Sequence, residues 1–362
     1  MSKPKILITS AAGRTSSAAI HHLLQLGFPV RALVRSEDER SAKLKQAGAE
    51  VMVGDQLNYQ DLRNALRGVQ RAYHCPPFSA NSLENMMMFA IAAEEAKLET
   101  VALMSGWNPH PSHHSIHTRS HWIANQIYRW MPSVKLIHIN PGLFAFTYFL
   151  SLPMMVNFGQ LVAPFGDGKN APPSNEDIGR VAAYALANPE QHIGKSYRPT
   201  GPKLISTKDV ANIMSDVLGR PIKYRPVSMK IFSKAAIAQG LSMYELSQFK
   251  YYAAELRGGT YATGAPTNHV DLVTGTPAES FTQTAKRYVE EPDRVYGPLE
   301  RGNKLSTLAF MVRMLLTPSP NLEKWEREQF HPIFRNAQLA HESQDWISSA
   351  ENQTLNLLPL NH

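Results

Sequence analysis

Apolar and polar positions alternate with a regular beat from the N-terminus to Asn140. A short apolar run comes first, a stretch with helical spacing follows, and the pair recurs. Lys5–Ile8 is the first run. It ends in a turn of small residues, Thr9 to Thr15, and a helix then reads from Ser17 to Leu26 with Gly27 ending it. Val30–Arg35, Val51–Val53, Arg71–His74, Thr100–Met104 and Lys135–Asn140 read as further strands. Helices are expected over Asn58–Leu66 and Ser82–Ala96, and around Ser120–Asn125 after the fifth strand. Ser36-x-x-Glu39 has the form of a capping box for one more, which Gly48 ends. Strands alternating with helices at this spacing predict βαβ units, hence a doubly wound parallel α/β sheet with helices on both faces.

Beyond Asn140 the beat breaks. From Pro141 to Gly166 there is no charged residue, but Pro153, Asn157, Gln160 and Pro164 interrupt the run, so it does not read as a transmembrane helix. Asn175 is expected to cap a helix through Ala187, with Asn188-Pro189 stopping it. Tyr197-Arg198-Pro199 reads as a strand returning to the sheet near 196–199. Thr207–Leu218 reads as a helix ended by Gly219. Ser242-x-x-Glu245 and Thr276-Pro277-x-Glu279 look like capping boxes. The pattern divides the chain into a sheet domain over 1–140, a mainly α-helical second domain over 141–290 and an extension over 291–362. Pro292–Arg301 reads as a linker. Thr307–Leu316 is apolar and too short to cross a bilayer; it would dock on the body, on a second copy (a homodimer through 306–316) or on a membrane surface. From His341 the chain is largely polar and is expected to be weakly ordered.

Ligands of such sheets gather at the carboxyl ends of the strands. Those ends carry Ser10–Thr15, Arg35, Asp55-Gln56, Cys75-Pro76-Pro77 and Ser105-Gly106. A turn of small residues leading into a helix N-terminus offers backbone N–H groups and partial positive charge to a pyrophosphate. Against the spacing G-x-x-G-x-x-G the chain has Ser10, Gly13 and Ser16, so a plain buried strand and turn is the competing reading. Arg35 stands where an acidic residue would bind the ribose 2′-OH of NAD, and an arginine there suits the 2′-phosphate of NADP. The competing reading is an ordinary solvated arginine. Asp55 could accept from an adenine amino group or simply form its turn.

Composition narrows the classes. The one cysteine, Cys75, excludes an internal disulfide and a cysteine-based zinc site. A reducing compartment fits, and no apolar stretch follows a basic start, so a cytoplasmic location is expected. The formal charge of +7 suits an anionic ligand such as NADP(H). Without a compact Lys/Arg run, a mildly basic surface is a better reading than a nucleic-acid face.

Several stretches in order resemble the NmrA-like family, an atypical branch of the short-chain dehydrogenase/reductases. They are Ile8–Thr15, Ala32–Arg35, Gly54-Asp55, Met104-Ser105-Gly106-Trp107, Asn140–Phe144, Ala265–Val270 and Val273-Thr274-Gly275. The resemblance spans about residues 3–290. It implies a Rossmann domain, a smaller substrate domain and NADP(H) as cofactor. The implied cofactor contacts are Thr9, Ser10, Ala12, Gly13, Arg14, Thr15, Arg35, Asp55, Gln56, Cys75, Pro76, Pro77, Ser105, Gly106, Pro141 and Gly142. It also implies that the Pro141–Gly166 stretch lines the substrate cleft. Phe144, Phe146, Tyr148, Phe149, Met154 and Met155 would then favour an apolar or aromatic substrate, unless they form a core instead.

The catalytic pair of the main-line enzymes, Tyr-x-x-x-Lys, is missing: none of the 13 tyrosines has a lysine four residues on. Where related reductases carry a lysine and, four residues later, a glutamate, this chain has His121 and Asn125. His121 could act as acid or base, or only pack beside the cofactor. Tyr148 is the other candidate proton donor. His113, His117 and His121 have helical spacing, but Pro111 and the lack of a carboxylate argue against a metal, and none is expected. Two functions remain: a reductase acting on an apolar carbonyl or quinone, and an NADP(H)-binding sensor or regulator without turnover. The partner is accordingly a small apolar molecule or a regulatory protein.

Overall fold

The first apolar runs become strands β1 (Ile6–Ile8), β2 (Val30–Val34), β3 (Glu50–Val53), β4 (Arg71–His74), β5 (Thr100–Met104) and β6 (Lys135–Ile139). The computed structural model describes residues 3–290, 302–329, 331 and 335–358. Between the strands lie α1 (Arg14–Gln25), α2 (Glu39–Gln46), α3 (Tyr59–Leu66), α4 (Ser82–Glu95) and α5 (Ile116–Arg129). The chain continues through α6 (Phe146–Phe149), α7 (Leu152–Phe158), β7 (Gln160–Ala163), β8 (Lys169–Asn170), α8 (Asn175–Ala187) and β9 (Ser196–Tyr197). Then come β10 (Ile205–Ser206), α9 (Thr207–Leu218), β11 (Lys223–Pro226), α10 (Met229–Ala238), α11 (Met243–Gly258), α12 (His269–Thr274) and α13 (Phe281–Glu290). The extension holds α14 (Lys304–Leu316), α15 (Leu322–Glu328) and α16 (Gln344–Glu351).

Seven parallel strands form one sheet in the order β3-β2-β1-β4-β5-β6-β9, the order of a Rossmann-like α/β fold. Register is fixed by burial: Ile6 of β1 faces Val30 on one side and Arg71 on the other, and Ile6, Leu7 and Ile8 are all fully buried. One core packs α1, α8 and α12 against one face of the sheet, and another packs α3, α4 and α5 against the opposite face. A third, around Tyr148, Phe149, Phe165, Leu256 and Tyr288, gathers α6, α7, α9, α11 and α13 with the two-stranded pairs β7–β11 and β8–β10.

Local boundaries move where capping chemistry decides them. Asp38, not Ser36, caps α2; its carboxylate accepts from the Arg40 and Ser41 amides while Ser41 Oγ accepts from the Asp38 amide. Ser174, not Asn175, caps α8. The box expected at Thr276–Glu279 is instead made by Ser280 and Gln283, four residues later. The expected box at Ser242–Glu245 forms around α11, and α9 has a further one that the sequence reading did not name, Ser206 with Asp209, one residue ahead of Thr207. The linker expected at 292–301 lies outside the described residues.

From His341 to Leu358 the tail packs on the body, contrary to the expectation from its polar composition. One tryptophan accounts for this. Trp346 of α16 is buried edge-on against Trp107 and donates from Nε1 to the Trp107 carbonyl at 3.0 Å. Arg198 covers the same Trp107 ring at 3.8 Å. Further along, Trp122 Nε1 donates to the Asn356 carbonyl at 2.9 Å and the Leu358 amide to Gln126 Oε1 at 3.0 Å. The extension thus returns across α5 to the sheet half of the molecule. Among the described residues, no helix is long and apolar enough to cross a membrane.

Candidate functional site

β1 lies between β2 and β4, where the order of the sheet reverses, so a crevice opens at their carboxyl ends beside the Thr9–Thr15 turn. Ser10 sits there at φ +46°, in the left-handed region that glycine normally occupies. Its hydroxyl donates to the Cys75 carbonyl at 2.8 Å and accepts from Gln56 Nε2 at 3.0 Å. Gly13 is needed for space: a Cβ on it would lie 2.9 Å from the Ser10 carbonyl oxygen, to which its own amide donates at 2.7 Å. Ser16 is buried, and its hydroxyl donates to the Thr9 carbonyl at 2.9 Å. Two serines therefore hold the turn that glycines would otherwise make.

α1 begins at Arg14. Its N-cap, Gly13, supplies no side-chain bond, and no acidic residue stands in its first turn. The positive end of the helix is left for an anion. The Arg14 guanidinium stacks on the Phe146 ring at 3.6 Å; burial lowers its pKa and nearby Arg40 lowers it further. Arg35 is exposed directly after β2. Asp55 is exposed and accepts from the Leu57 amide at 2.9 Å, which is its turn-forming role. Thr9 is buried, and its hydroxyl ties β1 to β4 through the Cys75 amide at 2.9 Å. Ala12 packs against the sheet core. Burial pushes the Cys75 thiol up.

A cavity of about 360 Å³ continues from this turn. Thr15, Cys75, Pro76, Ser105, Gly106, Pro141 and Gly142 line it, together with Met104, Leu143 and Phe144. The wall that sequence reasoning missed comes from Phe78 and from α11, which contributes Phe249 and Tyr252. Three lining residues carry buried polar atoms without a hydrogen-bond partner: Ser105 Oγ, Asn108 Nδ2 and His121 Nδ1. All three atoms are shielded from solvent and unpaired, which is uncommon for buried polar groups and marks these lining residues.

His121 is part of a short chain of side chains. Its Nε2 lies 3.2 Å from His117 Nε2, and His117 Nδ1 lies 3.1 Å from the Tyr244 hydroxyl. Burial lowers His121 to about 4 and His117 well below its usual value, so both rings are neutral at pH 7. Asn125 is buried one turn further along α5. His113 stands apart from this pair: α5 starts only at Ile116, and His113 turns instead to Glu255, with Nε2 and Oε1 2.5 Å apart. Among the described residues, no three His, Cys, Asp or Glu side chains are grouped to hold a metal ion.

Tyr148 is elsewhere. It is buried between Phe165 and Phe281 in the third core, and burial raises its pKa. Tyr148, the other candidate proton donor, does not line the cavity that holds His121; it lines a second cavity. Phe149 and Met155 also belong to the third core, while Met154 lines that second cavity. Of the six apolar residues expected in the cleft, Phe144 lines it directly.

The chain shares its architecture with known proteins. The NAD(P)H azoreductase of Xenophilus azovorans is 25% identical over 293 residues, covering 78% of this chain and 97% of the azoreductase. The NADPH-dependent quinone oxidoreductase of Escherichia coli, crystallised with NADPH, is similar with a TM-score of 0.67 at 18% identity, over 78% of this chain and 99% of the oxidoreductase. NmrA, a negative transcriptional regulator crystallised with NADP, is similar with a TM-score of 0.66 at 16% identity, over 80% and 97%. The model of the NmrA-like family matches residues 2–281. That match runs from before β1 to the start of α13, across the sheet, the serine-held turn and the cavity walls, and so the chain belongs to the NmrA-like family.

Proposed function

We propose that this protein is an NADP(H)-dependent reductase of an apolar, oxygen-bearing acceptor such as a quinone or enone. The observation that carries the reading is the cavity itself: apolar walls and three unpartnered polar atoms directly beside an anion-ready helix N-terminus. The residues fit a dinucleotide. Gly13 leaves room at the turn, the first turn of α1 accepts a pyrophosphate, and the exposed Arg35 offers positive charge to a 2′-phosphate. The azoreductase and the NADPH-bound quinone oxidoreductase support the same chemistry by likeness.

The bound nicotinamide would supply a hydride, two electrons, to the acceptor. One proton taken up completes the reduction of a quinone to a hydroquinone. The protein's part is to position and polarise. A consistent set of neutral tautomers runs from the Tyr244 O–H to His117 Nδ1 and from the His117 Nε2–H to His121 Nε2. It leaves a proton on His121 Nδ1, free to donate to the acceptor oxygen and draw charge onto it. A neutral imidazole is a hydrogen-bond donor in this role, and the proton itself arrives from water.

Replacing His121 with Ala is expected to lower kcat on quinones about 100-fold with NADPH affinity unchanged, the scale for losing one donor at a developing oxyanion. Because His121 stays neutral down to about pH 4, kcat shows no titration of this group between about pH 5 and 8. A bell centred near pH 6.5 and lost in the variant would sink the assignment. For the cofactor, Arg35→Ala should weaken NADPH by roughly tenfold or more and leave NADH unchanged, measured by fluorescence titration. Equal losses for both would remove Arg35 from the site.

The absence of Tyr-x-x-x-Lys favours a second reading, an NADP(H) sensor without turnover. NADPH oxidation over a panel of quinones, enones and azo compounds separates the two. Tight binding with no turnover on any of them overturns the reductase. Either function fits a reducing, cytoplasmic setting for Cys75.

A further inference from the structure

α14 has two apolar faces. The inner one places Phe310, Met311 and Met314 over a cavity of about 140 Å³ whose other walls include Leu150, Met154, Phe165 and Phe232. The outer one is bare. Leu305 is 78% exposed, Val312 57%, Leu315 67% and Leu316 79%, with Leu308 between them. These positions, i, i+3, i+7, i+10 and i+11, fall on one stripe of a helix. At 100° per residue, Lys304 flanks the stripe on one side and Arg313 on the other. Lys234 of α10 reaches the end of the stripe by donating to the Leu315 carbonyl at 2.8 Å. From Gly302 to Leu322 the sequence has no Asp or Glu, and α10 has none.

Charge chooses the occupant. A symmetric pairing of two copies through this stripe would set like cations against each other with no carboxylate on the stripe to compensate. A surface of anionic headgroups above hydrocarbon complements both features at once. The inner cavity adds a purpose. Thr147 and Phe249 line both it and the cleft that holds His121, so the two chambers share a wall.

We propose that α14 seats the protein on an anionic membrane surface, and that the chamber beneath it takes the apolar tail of a membrane-dissolved acceptor whose head reaches the cleft. The second half rests on the reductase reading; the seating does not.

The test uses the full chain and vesicles of phosphatidylcholine with or without phosphatidylglycerol. The protein sediments with the anionic vesicles, high salt releases it, and it ignores the zwitterionic ones. Leu305→Glu/Leu316→Glu and Lys304→Glu/Arg313→Glu each cut binding at least about tenfold, with unchanged circular dichroism and NADPH affinity. A dimer in light scattering that these variants dissolve, without vesicle binding, overturns the proposal in favour of a second copy. Turnover then separates the two readings. Reduction of a short soluble quinone with no vesicle binding overturns the seating and leaves the reductase. Vesicle binding with no turnover of any quinone, enone or azo compound upholds the seating and removes the reductase. With both in place, a long-chain quinone in anionic vesicles is reduced at least about tenfold faster by the wild type than by the charge-reversed variant; equal rates overturn the chamber's role.

Discussion

Glu255→Ala is expected to destabilise the protein by about 3–5 kcal/mol, the cost of breaking a buried charged cluster by removing one member. Glu255 is fully buried on α11 and joins three separate segments. It faces His113 Nε2 at 2.5 Å in the loop before α5, accepts from the Ala340 amide at 2.7 Å and lies 3.0 Å from His341 Nδ1 in the extension; the Thr260 hydroxyl adds a further bond. His113 Nδ1 accepts from the Ser115 amide at 2.8 Å, which places the ring proton on Nε2, toward Glu255. Burial alone would raise the carboxyl, but the bonds from His113 and His341 hold it well below the usual carboxylate range. His341 is raised by its bond to Glu255. The signs are opposite. A lowered carboxylate contributes fully above its unfolded value near ~4.3 and loses that contribution only as pH falls through the lower folded value. A raised histidine contributes fully below ~6.5 and loses it as pH climbs through the folded value. The tail should therefore be held most firmly between about pH 4.5 and 6.5 and loosen on the alkaline side. Hydrogen exchange of 340–358 across that range checks this, and His341→Gln should flatten the alkaline arm. An extension equally protected from pH 5 to 9 would refute it.

Gly179→Val should cost about 3 kcal/mol or more and lower the melting temperature by about 4 °C or more. A Cβ at Gly179 would lie 2.6 Å from Ala18 Cβ, 2.6 Å from the Thr15 carbonyl and 2.7 Å from the Ala19 amide. Two of these are backbone atoms and cannot rotate away. Alanine at the same place gains up to about 1 kcal/mol of helix propensity yet meets the same clash, so it should still be destabilising. The damage does not stay at the helix contact. Thr15 belongs to the first turn of α1, so displacing it disturbs the anion end, and NADPH affinity should fall together with stability. Calorimetry and NADPH titration on the alanine variant test both; an unchanged melting temperature would mean α8 slides without cost.

The strands were the most legible part of the sequence, because each is an apolar run closed by glycine, proline or a capping residue. Arg71–His74 and Thr100–Met104 occur as read. Caps were less legible, since several hydroxyls and carboxylates compete within a few residues and geometry picks one: Asp38 over Ser36, Ser280 over Thr276. Tyr148 shows a different limit. In an uncharged stretch without periodicity, nothing distinguishes an aromatic that lines a cleft from one that fills a core. The cavity wall supplied by Phe249 and Tyr252 of α11 left no local signal at all, and neither did the meeting of Tyr244 on the same helix with His117, 127 positions away in sequence. In the tail, polar composition hid the anchoring role of Trp346, which depends on what Trp107 offers rather than on its neighbours.

Ser10 changes when the cost of ordering this turn is met. A glycine there would adopt the left-handed backbone freely and also leave it freely. Serine accepts roughly 1–2 kcal/mol of steric cost to hold the same shape, and its two side-chain bonds fasten β1 to the Cys75 carbonyl and to Gln56. The loop is thus frozen during folding instead of during capture of a dinucleotide. Little conformational entropy is left to lose on binding. A serine-to-glycine change should move that loss into the binding step, so calorimetric titration of NADPH would show a more unfavourable entropy with little change in the bound geometry.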